Sequence, residues 1–424
     1  MTIEQLYELY LLHPSIQTDT RKLGNGDLFF ALKGPNFNGN SFAARALELG
    51  AAYAIIDEAQ PVSDPRLILV PDTLKTLQDL ALHHRRQFNI PFIAITGSNG
   101  KTTTKELVHA VLSSTYITYT TQGNLNNHIG IPLTILSVKK DAAFAVIEMG
   151  ANHQKEIEGY CTYTLPTHGI ITNAGKAHLE GFGGPEGVKK GKGELYDFLR
   201  AHDGTAFVMH DYDYLVSMSK GIPNIYTYGT RDAEITGNII PSPTFLQVQI
   251  TSGVDIDTIH TQLVGDYNLP NVLVAVTVGK HFEVPADRIR TAIEQYTPSN
   301  SRSQLIEKDG NHIILDAYNA NPSSMRAAIE NFSHIAAEKK VLILGAMAEL
   351  GEDSLREHQG IVDLIAQHPW FQVALVGGDF QKIDHPWLRF ADSKEAAAWF
   401  RHAGFSDTYI LIKGSRSTKM EAVI

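Results

Sequence analysis

Thr96-Gly97-Ser98-Asn99-Gly100-Lys101-Thr102 stands directly after the apolar run Pro91-Phe92-Ile93-Ala94-Ile95. That order predicts a short buried strand, a glycine-rich turn, and a helix over residues 103–112. A phosphate cradle needs this kind of turn, because glycines let the backbone double back until its N–H groups point at phosphate oxygens. The N-terminus of the following helix adds partial positive charge. Lys101 can reach β- and γ-phosphates, and Thr102 supplies the hydroxyl that usually holds Mg²⁺ beside a nucleotide. Gly97, Ser98, Asn99, Gly100, Lys101, Thr102 and Thr103 are therefore the candidate phosphate-binding residues. The loop is a short T-G-x-x-G-K-T variant, since the first glycine of the general pattern falls on Ile95. The bland alternative is an ordinary βα turn; Gly-Lys-Thr in this setting favours ATP or GTP.

Composition narrows the class. A chain of 424 residues corresponds to about three domains of ordinary size, and 43% hydrophobic residues suffice for packed cores. The net charge of −10 argues against a nucleic-acid partner, so an anionic ligand must be met by a few local cations. The single cysteine, Cys161, excludes an internal disulfide framework and suits a reducing cytoplasm. Residues 1–12 carry Glu4 and Glu8 without a basic segment, unlike a secretory signal. No apolar run nears the ~18 residues that cross a bilayer. The expectation is a soluble cytoplasmic monomer that acts on small molecules, with neither nucleic acid nor membrane as partner.

The pattern divides the chain into three α/β units. Residues 1–88 read as a small unit, with strands at 28–32, 52–56 and 67–70 and helices at 41–49 and 73–88. Residues 89–297 alternate apolar strands with helices, as in a buried parallel sheet, and 222–263 read as an antiparallel addition. Tyr296-Thr297-Pro298-Ser299-Asn300-Ser301 has linker composition. Residues 298–424 then read as an open, Rossmann-like sheet with strands near 313–316, 341–345, 373–378 and 409–413.

Several groups stand where chemistry is done. Glu148 ends a strand just before Met149-Gly150, a place for a Mg²⁺ ligand or for a plain surface carboxylate. His178 is a metal ligand or a loop residue. Asn124-Leu125-Asn126-Asn127 offers three amides to a ligand, or a solvated turn. Lys189-Lys190-Gly191-Lys192-Gly193-Glu194 precedes a helical segment and by default is a solvated charged face. Asp316-Ala317-Tyr318-Asn319-Ala320-Asn321-Pro322 follows a strand, where its acid could hold a ribose or another nucleotide-associated group. Lys413-Gly414-Ser415-Arg416 ends the last strand as a local anion site.

Taken in order, these segments resemble the Mur ligase family of ATP-dependent amide-bond-forming enzymes. The likeness spans essentially the whole chain. It runs from Thr18-Asp19-Thr20-Arg21 through T-G-S-N-G-K-T and G-N-L-N-N-x-I-G-I-P to E-M-G-A-N-H at 148–153. It continues with A-H-L-E-G-F-G at 177–183, K-G-E at 192–194, D-A-Y-N-A-N-P, M-A-E-L-G at 347–351 and K-G-S-R. One departure is the linker sequence Asn300-Ser301-Arg302-Ser303, which lacks the family's glycine beside the arginine.

The resemblance implies a role for each unit. The N-terminal unit would hold a UDP-sugar, with Thr20, Arg21 and Lys33 among its contacts. The central P-loop unit would bind ATP and Mg²⁺, and the C-terminal unit would bring an incoming dipeptide and close over the nucleotide. Lys101, Glu148, His178 and Lys192 match catalytic positions; Thr102, Glu148 and His178 match metal ligands, as does Lys192 in carbamate form, with Lys190 its neighbouring candidate. Asn268, Asn271, Arg302 and Asp316 match positions around the nucleotide. Asn126, Asn127, Tyr318, Asn319, Lys413, Ser415 and Arg416 are the further substrate candidates. The implied reaction activates the carboxylate of a UDP-N-acetylmuramoyl-tripeptide as an acyl phosphate and joins it to D-alanyl-D-alanine, a step of peptidoglycan synthesis and so of cell shape and division. A sister ligase adding the third peptide residue, a folylpolyglutamate synthase and a regulatory P-loop protein are the rivals.

Overall fold

A computed structural model describes residues 1–61, 63–299 and 301–424. Three α/β units follow one another, each built on its own sheet. The first sheet has four parallel strands in the order Ile16–Gln17, Leu28–Phe30, Tyr53–Ile56 and Leu67–Leu69. Helix Thr73–Arg85 follows it and packs against helices Ile3–Leu12, Gly130–Ser137 and Glu156–Thr164, its N-terminus capped by Asp72, whose side chain accepts the Lys75 N–H. The helix expected over 41–49 is shorter. A 3₁₀ turn, Gly39–Phe42, comes first because Asn38 accepts the Asn40 N–H, and the α-helix proper is Ala43–Glu48. Helix Ile3–Leu12, closed by a Thr2–Gln5 capping box, is not among the helices expected from the sequence pattern.

The central sheet has nine strands. Phe92–Thr96 lies between Phe144–Glu148 and His168–Ile171, parallel to both, and every residue of Phe92–Thr96 and of Phe144–Glu148 is buried. Continuous apolar runs are what a sheet covered on both faces demands. The parallel register sets Ile95 beside Glu148 and Thr96 beside Ile171, so all three strands deliver their carboxyl ends to one edge. Ligands bind at that edge in open α/β sheets. The far end of the sheet turns antiparallel through Ile235–Ile240, Phe245–Ser252 and Thr258–Val264, matching the alternating texture of the sequence there.

Lys189 to Glu194 do not precede a helix but lie inside one, Pro185–Ala201. Val188, Lys192, Leu195 and Leu199 are its buried stripe at helical spacing, which the charges of the segment masked. The third sheet has six strands, four of them parallel to Asn311–Asp316 or to one another, with Gln304–Lys308 added antiparallel at one edge. Asp316 and Lys413 are register partners at the strand ends. The linker position Asn300 lies outside the described residues.

Candidate active site

The phosphate loop is shaped by two glycines. Gly97 takes φ +143° and Gly100 φ +79°. A Cβ on Gly97 would stand 2.0 Å from Thr172 Oγ1, and one on Gly100 2.7 Å from Asn271 Oδ1. Only glycine combines that backbone with that closeness. The neighbouring strand's end stitches the loop in place: Ser98 N–H donates to the Asn173 carbonyl (2.9 Å) and Asn99 N–H to Asn173 Oδ1 (3.0 Å). Thr172 Oγ1 donates to the Asn99 carbonyl at 2.6 Å. Helix Lys101–Ser113 starts directly behind the loop, and the Lys101 ammonium donates to the Gly97 (2.8 Å) and Ser98 (3.2 Å) carbonyls. Burial lowers the Lys101 pKa and Arg302 adds to that, while Glu148 opposes it.

Glu148 is buried beside the loop, and neutral groups hold it. Thr102 Oγ1 donates to its Oε2 at 2.9 Å and Asn126 Nδ2 to its Oε1 at 2.8 Å. Behind it, the Glu148 N–H donates to Thr121 Oγ1 (3.0 Å), and the buried Lys105 ammonium donates to the Thr121 carbonyl (2.7 Å). A buried carboxylate and a hydroxyl at a phosphate loop are the oxygen donors a Mg²⁺ site takes from a protein, the rest coming from phosphates and water. The donor set therefore fits the ion at Thr102 and Glu148. His178 lines the same cleft. Its Nδ1 lies against the Glu349 carboxylate of the C-terminal unit, and among the described residues no three His, Cys, Asp or Glu side chains gather as a metal site. Both residues of the pair take left-handed backbone, His178 at φ +51° and Glu349 at φ +61°.

Lys192 and Lys190 part company by burial. Lys190 is exposed, whereas Lys192 is 1% exposed, with its ammonium 3.1 Å from the Ala151 carbonyl and 4.9 Å above the Phe182 ring. Burial first, and then the charge of Lys101, push its pKa far below the ordinary lysine value; Glu156 and Glu194 pull the other way. It sits behind the Ala151 stretch of the cleft wall rather than on the cleft surface.

The cleft has a volume of about 1020 Å³, and its far wall comes from the C-terminal unit. Arg302, Asp316, Tyr318, Asn319 and Lys413 line it opposite the phosphate loop, with Asn126, Asn127, Asn268 and Asn271 on the central side. Asp316 accepts from the Lys413 ammonium and from Ser303 N–H (3.1 Å). Asn268 and Asn271 are buried and paired, Asn271 Nδ2 donating to Asn268 Oδ1 at 2.9 Å. Asn321, which sequence reasoning passed over, donates from Nδ2 to Asn99 Oδ1 at 2.7 Å while capping helix Pro322–His334. Asn followed by Pro at a helix start was the available signal. Glu349 and the Lys176–Glu357 pair (2.7 Å) across the same junction were also missed; only tertiary contact reveals them.

Several candidates lie outside the cleft lining. Arg21 is exposed and paired with Asp19 (2.7 Å) beside Thr20, and Lys33 pairs with Asp57 and Glu58 at 3.1 Å each. These belong to the first sheet's surroundings. Ser415 is buried, donating to the Ala346 carbonyl (2.7 Å), and Arg416 pairs with Glu421 (2.9 Å).

The arrangement can hold a nucleoside polyphosphate by backbone N–H groups and Lys101, and present its terminal phosphate toward a second wall of cations. Comparison with known proteins gives the class. Residues 14–85 match "Mur ligase family, catalytic domain", 95–279 "Mur ligase middle domain", and 301–416 "Mur ligase, glutamate ligase domain". The chain belongs to the Mur ligase family. Within it, the chain is 32% identical over 431 residues to the UDP-N-acetylmuramoyl-tripeptide--D-alanyl-D-alanine ligase of Bacillus subtilis, covering 99% of this chain and 93% of that one. The crystal structure of MurF from Acinetobacter baumannii superposes with a TM-score of 0.87 at 31% identity, over 96% of this chain and 92% of that one. The MurF ligase of Thermotoga maritima in complex with ADP superposes with a TM-score of 0.88 at 26% identity, over 97% and 96%.

Proposed function

We propose that the chain is an ATP-dependent ligase that joins D-alanyl-D-alanine to UDP-N-acetylmuramoyl-tripeptide, giving the pentapeptide precursor of peptidoglycan with ADP and phosphate. The observation that carries the reading is the cleft with a phosphate loop on one wall and Arg302, Asp316 and Lys413 on the other. The full-length relatives bearing that activity supply the substrate class. The units divide at 88/89 and 297/298, and they hold the UDP-sugar, the nucleotide and the dipeptide respectively. The protein works in the cytoplasm as a monomer.

A carboxylate does not condense with an amine in neutral water, because it is a poor electrophile. Transfer of the γ-phosphoryl group breaks the bond to the β-phosphate oxygen and makes a carboxyl oxygen–phosphorus bond. The dipeptide amine then attacks the acyl carbon, loses a proton, and expels phosphate. The loop N–H groups of residues 98–102 and Lys101 hold the phosphates and offset their charge as it shifts. Thr102 and Glu148 would be the oxygen donors for Mg²⁺, which would neutralise phosphate charge when bound. Asn126 keeps Glu148 oriented. Lys192 would take the carbamate form: burial favours its neutral amine, which adds CO₂ and releases a proton, and the product would turn that amine into an anionic oxygen donor. Lys413 and Arg302 hold anionic groups from the C-terminal side.

Phosphate release measured with single omissions tests the reading. Release is expected only when ATP, UDP-tripeptide and D-alanyl-D-alanine are all present. Equal release without the dipeptide would instead mark a plain ATPase or switch protein, and a preference for glutamate or diaminopimelate over the dipeptide would mark a sister ligase.

A further inference from the structure

Arg302 stands between two residues in the left-handed backbone region, Ser301 at φ +57° and Ser303 at φ +47°. Residues with a Cβ enter that region at a steric cost, so the surroundings must hold them there. Tyr318 N–H donates to the Ser301 carbonyl (3.1 Å), and the Asp316 carboxylate accepts the Ser303 N–H (3.1 Å). The Ser303 hydroxyl lies 2.9 Å from the Tyr267 hydroxyl on the central unit. Both sides of the arginine are thus clipped to the strand end that carries Asp316 and Tyr318.

The side chain is fixed as well. The Arg302 guanidinium lies 3.6 Å from the centroid of the half-buried Tyr318 ring, and that of Arg416 lies 5.9 Å from the same centroid. A guanidinium flat on a ring face is attracted by the ring's quadrupole and keeps its in-plane N–H groups for a planar anion. Arg302 and Tyr318 both line the cleft whose other wall carries the phosphate loop and Lys101. The ring is therefore a backing plate for the arginine that faces the phosphate loop.

We propose that Tyr318 is a positioning residue, whose ring rather than its hydroxyl holds Arg302 in the orientation that meets the nucleotide phosphates. This rests on the reading of the cleft as a nucleotide site, and it differs from the expectation that Tyr318 contacts the substrate itself. Ligand contact through the phenol would need the hydroxyl; a platform needs only the ring. Substitution separates the two.

The test is calorimetric titration of the full-length protein with ADP, alongside the KM for ATP and kcat in ligation. Tyr318→Leu is expected to weaken ADP binding about tenfold and to raise the KM for ATP similarly. Tyr318→Phe is expected to stay within about twofold of the parent. In an Arg302→Ala background, Tyr318→Leu is expected to add nothing, since the partner is gone. The proposal is overturned if Phe is as damaging as Leu, if Leu costs the same in both backgrounds, or if Leu leaves ADP affinity unchanged. A parent protein that binds ADP but ligates no dipeptide would sink the substrate reading alone, and the ADP titrations would still decide the role of Tyr318.

Discussion

Gly97 and Lys192 show how single residues set up this cleft. Gly97 combines φ +143° with a neighbour 2.0 Å from where a Cβ would stand. Gly97→Ala is therefore expected to abolish ADP binding and to cost more than about 2 kcal/mol of stability, from backbone strain and overpacking together. Calorimetry and urea unfolding would check both, and an alanine variant that binds ADP normally would mean the loop has room the geometry denies. Without the family motif Lys192 reads only as part of a charged run; its burial beneath Ala151 is the physical difference from Lys190. Lys192→Ala is expected to abolish ligation, with part of the activity restored by formate as a small carboxylate. Full activity of the alanine variant would end the carbamate role. His178 adds a contact the sequence does not show: within the cleft its Nδ1 lies against Glu349 of the C-terminal unit.

Among the elements, strand His168–Ile171 carries chemistry at both ends. Its carboxyl end stitches the phosphate loop through Thr172 and Asn173. At its amino end His168 packs among Phe207, His281 and Phe282, with Thr167 Oγ1 2.8 Å from its Nδ1. Burial, helped by His281, brings the His168 pKa down to about 4. In the unfolded chain a histidine titrates near 6.5, so between these values the unfolded state binds more protons and stability rises with pH. Stability contributed by neutral His168 is thus complete above about pH 6.5 and is lost as pH falls toward 4, by up to about 3 kcal/mol. Urea unfolding at pH 7 and pH 5 should show this loss, and His168→Phe should flatten it. Equal slopes in the two proteins would place the acid sensitivity elsewhere. No periodicity marks this cluster, because it depends on helix Leu269–His281 folding back over the sheet.

At the scale of the molecule, contacts join the central and C-terminal units: Asn99 with Asn321, Lys176 with Glu357, and His178 with Glu349. All three lie around the cleft, so ligands there bear on how the units sit together. X-ray scattering with an ATP analogue and UDP-substrate is expected to give a smaller radius of gyration than the protein alone; superimposable profiles would count against closure. The sequence by itself determined the order of three α/β units, the strand–loop–helix of the phosphate cradle and the family, because apolar periodicity, glycine spacing and short motifs are local properties of the chain. It also placed Glu148 at a strand end, where parallel register with Phe92–Thr96 brings it to the loop. Only the tertiary structure decided that Lys192 is buried, that His178 faces Glu349, that Asn321 touches the loop, and that Ser301 and Ser303 do without the missing glycine by being clipped to Tyr318 and Asp316. Those outcomes depend on which residues far apart in sequence share one junction, and burial, pairing and backbone strain are set by that neighbourhood.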